Sequence, residues 1–85
     1  MAYTVRIMES VQKAIRKLPK EIQERVFAAI SLLRETPRPP NVRKLQGMEN
    51  SWRIRVSDYR IIYSIEDKEL LILILKVANR KEAYR

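Results

Sequence analysis

The chain has no cysteine and no histidine. The first absence excludes a disulfide framework and a thiolate metal site. The second removes the commonest metal ligand and, with it, the usual general base near neutral pH. Glycine occurs once, at Gly47, so no glycine-rich loop is available to cradle a phosphate. Paired carboxylates, zinc spacing and a serine–histidine arrangement are missing too. The longest apolar run, Leu70 to Leu75, is far too short to span a bilayer. The N-terminus lacks the charged-then-apolar pattern of a secretory signal, so the cytoplasm is the expected location and a membrane is not an expected partner. Acidic residues are in deficit: 10 Asp and Glu stand against 18 Lys and Arg, for a net charge of +8. A chain this basic suits nucleic acid or an acidic protein partner. Catalysis on such a chain is metal-free, cofactor-free chemistry on a phosphate; otherwise the chain only binds.

What is there reads as one domain over residues 1–85, with a composition of 46% hydrophobic and 33% charged residues that argues against disorder. The organising stretch is Ser51 to Ile65, SWRIRVSDYRIIYSI. Apolar residues fall on even positions before the turn (Trp52, Ile54, Val56) and on odd positions after it (Tyr59, Ile61, Tyr63, Ile65). Strict alternation is the mark of a half-buried strand. A short loop at Ser57-Asp58 explains the switch, because Val56 then faces Tyr59 and Ile54 faces Ile61. The opposite face carries Arg53, Arg55, Arg60, Ile62 and Ser64. This register sets Arg55 against Arg60, a like-charge pair that destabilises a sheet and that an anionic ligand would relieve.

Upstream, Tyr3 to Met8 alternates as a first strand. Ser10 is placed to cap a helix whose buried stripe is Val11, Ala14, Ile15 and Leu18, with Lys13 and Arg16 on its outer face. A second helix runs from Pro19 toward Glu35, burying Ile22, Val26, Ala29, Ile30 and Leu33. Its short link to the first predicts a helix hairpin. Pro37, Pro39 and Pro40 then hold an extended connector. Lys44-Leu45 begins a strand, and Gly47 permits a turn or bulge. Leu70 to Asn79 is a strand apolar on both faces and therefore interior to the sheet. Placing Leu71, Leu73, Leu75 and Val77 toward the helices puts Leu70, Ile72, Ile74 and Lys76 on the arginine face. The expected fold is α+β, in the order β-α-α-β-β-β, with the helix hairpin on one face of a largely antiparallel sheet. The other face would carry a basic constellation of Lys44, Arg53, Arg55, Arg60, Lys76 and Arg80, with Tyr84, beside an apolar strip at Ile62, Ile72 and Ile74.

Three segments, KLQGM at Lys44 to Met48, WRIRVSDYRIIY at Trp52 to Tyr63 and NRKEAY at Asn79 to Tyr84, resemble the RelE toxins of the RelE/ParE superfamily. The resemblance implies a toxin of a type II toxin–antitoxin system with a RelE-like fold. It implies an endoribonuclease, an mRNA interferase that cleaves messenger RNA in the ribosomal A site and so arrests translation and growth. Its expected partners are the ribosome, mRNA and a cognate antitoxin, through which the complex can bind operator DNA. The family's catalytic pattern falls on Arg53, Arg55, Arg60, Arg80 and Tyr84. Lys44 and Lys76 are then expected to bind RNA phosphates, and Ile62, Ile72 and Ile74 to bind the antitoxin. No metal or cofactor is implied. The second strand position is often lysine in the family, a residue suited to act as the base, whereas this chain has Arg55 there and an arginine is not a general base. A ParE-like inhibitor of DNA gyrase, which shares the fold, and a non-catalytic RNA- or antitoxin-binding module are the alternatives.

Overall fold

In the computed structural model, which describes residues 2–79, the elements are β1 (Thr4–Ile7), α1 (Glu9–Arg16), α2 (Lys20–Leu33), β2 (Arg43–Lys44), β3 (Ser51–Val56), β4 (Tyr59–Glu66) and β5 (Leu71–Asn79), with a single 3₁₀ turn at Asp67–Glu69. The five strands form one sheet in the order β1-β5-β4-β3-β2. β1 runs parallel to β5, and the other three pairings are antiparallel. The expected α+β architecture is therefore present, with the apolar β5 interior to the sheet. None of the described helices is long and apolar enough to cross a membrane.

Both helices lay their apolar stripes on one face of the sheet. Val11 and Ile15 of α1 and Val26, Ile30 and Leu33 of α2 meet Ile54, Ile61, Tyr63, Ile65, Ile72 and Ile74 in a single core. α1 starts at Glu9, and Ser10 does not cap it. The cap position is Met8, whose carbonyl accepts from the amides of Val11 and Gln12. The Gln12 side-chain amide donates from Nε2 to the Ile7 carbonyl at 2.9 Å, so strand and helix are tied with no residue to spare and Ser10 falls inside the helix. Pro19, extended at ψ 145°, is the cap residue of α2, a position that needs no backbone donor.

The β3–β4 hairpin has the register that its alternation predicts: Ile54 lies opposite Ile61, Arg55 opposite Arg60 and Val56 opposite Tyr59. Ser57 takes a left-handed φ of 55° to close the loop. β5 departs from expectation. Ile62 pairs with Lys76, but its neighbour Tyr63 pairs with Ile74, so Leu75 is skipped. An extra residue of this kind is a β-bulge, and it reverses the side on which residues before it point. Val77 shares the helix face with Ile61, as expected. Ile72 and Ile74, expected on the arginine face, instead pair with Ile65 and Tyr63 and are fully buried in the core. Leu71 and Leu73 take the arginine face in their place. The physical reason is that the bulge lets the first half of β5 bury Ile72 and Ile74 and the second half turn Val77 to the helices while Lys76 stays exposed.

Tyr63 lies at the centre of the core with its ring fully buried, and its hydroxyl donates to the Pro37 carbonyl at 2.8 Å. Burial pushes this phenol up from 10.0 to about 12. Between those values the folded protein keeps a proton that the unfolded chain has lost. The stability due to this group is thus whole below pH 10.0 and is lost as pH rises toward about 12. Denaturant midpoints measured across that range should fall, with phenolate absorbance appearing as the chain unfolds. Tyr63→Phe should flatten the decline; an equally steep decline in that variant would place its cause elsewhere.

Candidate nucleic-acid interface

The side chains away from the helices make the site. Because Ile54, Ile61 and Tyr63 are committed to the core, Arg53 and Arg55 of β3 and Arg60 of β4 must point the other way. Arg55 is exposed, Arg53 is half-buried, and Arg60 is only 3% exposed, sitting between Arg55 on one side and Ala78 of β5 on the other. Arg60 is not without a partner of its own. A second like-charge pair lies at the sheet edge, where Arg43 of β2 is directly opposite Arg53. Each such pair costs roughly 0.2–1 kcal/mol in a sheet. Among the described residues Arg43, Arg53 and Arg55 form no ion pair. Two facing arginine pairs on neighbouring strands favour a polyanion, since planar guanidinium forks match phosphate oxygens.

A depression of about 530 Å³ opens beside the pairs, lined by Asn41, Val42, Arg43, Arg53, Arg55 and Ser57 among others. Arg43 was not anticipated, and Lys44 is not where the sequence reading put it. Lys44 pairs with Trp52, so it points to the face opposite Arg53, and its Nζ lies 5.8 Å from the centre of the indole ring. The cause is parity: Arg43 takes the position across from Arg53, and its neighbour must face away. Lys76 is on the arginine face, exposed and opposite Ile62. Arg80 and Tyr84 lie outside the described residues. Ile62 is half-buried on the same face, and the apolar strip beside it is completed by Leu71 and Leu73, both half-buried. Ile72 and Ile74 do not belong to it.

A network that sequence reasoning missed holds the proline-rich connector. The Arg38 guanidinium pairs with the Asp67 carboxylate at 2.8 Å, Tyr3 donates its hydroxyl to the same carboxylate at 2.7 Å, and Arg38 lies 5.1 Å from the centre of the Trp52 ring. The hydrogen bond from Arg38, followed by that from Tyr3, holds the Asp67 carboxyl below its ordinary value. Together with the Tyr63–Pro37 bond, these contacts pin the segment that leads into Arg43. Residues 64 positions apart in sequence meet here, and no local pattern announces such a contact.

A family model described as the ParE toxin of type II toxin–antitoxin systems matches residues 3–84. Among curated proteins, Toxin RelG of Mycobacterium tuberculosis is 36% identical over 89 residues, covering 100% of this chain and 99% of its own length. The mRNA interferase toxin RelE of Escherichia coli K12 is 28% identical over 85 residues, covering 98% of this chain and 88% of its own. The fold is also that of the toxin in the crystal structure of an archaeal RelE–RelB complex from Pyrococcus horikoshii. There the TM-score is 0.85 at 38% identity, with 94% of this chain and 97% of the other covered.

Proposed function

The chain belongs to the ParE toxin family of type II toxin–antitoxin systems, and from that premise we propose that it is an mRNA interferase, an endoribonuclease that cuts messenger RNA in the ribosomal A site. The observation that supports this most is the two pairs of facing arginines, Arg55 against Arg60 and Arg43 against Arg53, on the open face of the sheet. The relative bearing the mRNA interferase name covers almost the whole chain. The site of action is the cytoplasm, where translating ribosomes are.

In the reaction the 2′-oxygen bonds to the adjacent phosphorus, and the bond from phosphorus to the 5′-oxygen breaks. The hydroxyl loses a proton, and the leaving oxygen gains one. Negative charge accumulates on the phosphate oxygens between these events. Arg60 and Arg53 meet that charge, and stabilising it with preorganised donors is usually the largest catalytic contribution. Arg55 orients the phosphate with its planar fork of donors. Arg80 donates to the leaving oxygen. Tyr84 stacks on the base or moves a proton; otherwise the hydroxyl proton passes to a ribosomal group or water.

The partner in the cell is an antitoxin, as in the archaeal RelE–RelB complex. An acidic, amphipathic antitoxin segment fits the strip of Ile62, Leu71 and Leu73 beside the cations, and through the antitoxin the complex can reach operator DNA.

Cleavage should require translation, because the chain has no histidine to supply an acid–base pair. Incubation with naked and with translated messenger tests this. Cutting confined to the translated message is expected, and equal cutting of both would remove the A-site reading. Because the matching family is that of the ParE toxin, the gyrase inhibition implied by the sequence resemblance is kept as the second reading. Inhibited supercoiling with an intact messenger would establish that reading instead.

A further inference from the structure

We infer that the depression between the 40–43 segment and β3 is a subsite for a nucleotide flanking the cut, with Arg43 holding its phosphate and Asn41 reading its base. The inference rests on the ribonuclease reading above and extends it beyond the scissile bond. Arg60 sits on β4 across from Ala78, and the described part of β5 ends beside it at Asn79. The depression lies on the other flank, toward β2 at the sheet edge. Strands stand about 4.8 Å apart, so Arg43 is roughly 10 Å across the sheet from Arg60, the span of one or two nucleotides in an extended single strand. Arg53 lies between them, opposite Arg43 and two residues from Arg55. An RNA strand crossing the sheet therefore passes from one cationic pair to the next without a gap.

The lining of the depression is chemically distinct on its two segments. Arg53 and Arg55 line it from β3, and the exposed Asn41 lines it from the connector, between Pro40 and Val42. Its amide carries both donors and an acceptor, which suits a base edge. Among the described residues no aromatic ring lines the depression, and the Asn41 amide addresses a base by its edge rather than by stacking. The connector is also held in place. Val42 donates its amide to the Pro39 carbonyl at 3.0 Å, Tyr63 holds Pro37, and Arg38 is clamped by Asp67. A pinned, proline-rich loop loses little freedom when a ligand arrives. The network around Arg38 thus positions Asn41 and Arg43.

The test uses the free full-length chain, the variants Arg43→Ala and Asn41→Ala, and a short single-stranded RNA carrying 2′-O-methyl riboses that cannot be cut. Both side chains are exposed, so both variants should melt like the parent. Binding is measured as a function of salt. Arg43→Ala should lower the slope of log K against log salt by about 0.7, the value for one phosphate contact on a single strand. Asn41→Ala should leave the slope unchanged. In a cell-free translation reaction it should flatten the base preference at one position flanking the cut while the distribution elsewhere is kept. If the parent binds and cuts but both variants keep its slope and profile, the depression is not a subsite, and the ribonuclease reading stands without it. If only the profile stays unchanged, base reading by Asn41 is overturned. A parent that neither binds the RNA nor cuts translated messenger overturns both.

Discussion

Arg60→Ala should yield a folded protein that cleaves translated messenger about 10²–10³ times more slowly than the parent, the usual cost of removing one preorganised donor to a transition state. Arg60 is 3% exposed, between Arg55 and Ala78, so its side chain is held before substrate arrives. Its fork meets more negative charge at the transition state than in the bound RNA, and the loss should fall on rate rather than on ribosome association. Arg60→Lys keeps the charge without the planar fork and should recover only part of the rate. Truncation removes buried stem contacts but also relieves the like-charge pair with Arg55, worth roughly 0.2–1 kcal/mol. The melting temperature recorded beside the cleavage assay separates a lost catalytic group from a lost fold. As a control, Lys13 and Arg16 sit on the exposed face of α1, where Lys13 is paired with Glu9 at 3.8 Å. Alanine at both should alter at most the salt dependence of ribosome binding. Parent-like cleavage by folded Arg60→Ala would take Arg60 out of catalysis and overturn the mechanism above.

The second large effect concerns stability. Ile74→Asp should abolish folding, because Ile74 is 0% exposed among Tyr63, Ile15 and the other core residues. An unpaired carboxylate there costs several kcal/mol. A chain of 85 residues has only about 4–13 kcal/mol of stability in all. Leu73→Asp, one position away, should behave differently. Leu73 is half-buried on the open face, opposite Ser64 and beside Arg6 of β1. That variant should fold with a near-parent circular dichroism spectrum and bind the antitoxin more weakly, with less dependence on apolar contact. Had Ile72 and Ile74 formed the partner surface, the outcomes at 73 and 74 would be exchanged. The pair of melts therefore tests the bulge at Leu75 as directly as it tests the partner surface.

Sequence by itself determined the helix stripes and the central hairpin. Trp52, Ile54 and Val56 alternate with Arg53 and Arg55, and a two-residue loop leaves a single register that buries one face; slipping it by one residue would put arginines into the core. The opposition of Arg55 and Arg60 follows from that. The apolar stripes of Val11–Ile15 and Val26–Leu33 were legible for the same reason, a periodicity with only one buried side. Tertiary structure decided the rest. Leu71 to Leu75 is apolar at every position, so alternation gives its two faces no difference in energy, and the choice fell to the fit of Ile72 and Ile74 against the helices and Tyr63. β2 has two residues, too few for any period, and both are cations. Which of Arg43 and Lys44 faces the arginines was settled by pairing with β3 and by the indole of Trp52. The clamp of Tyr3, Arg38 and Asp67 joins three separate segments, contacts that exist only after the chain has closed around its core.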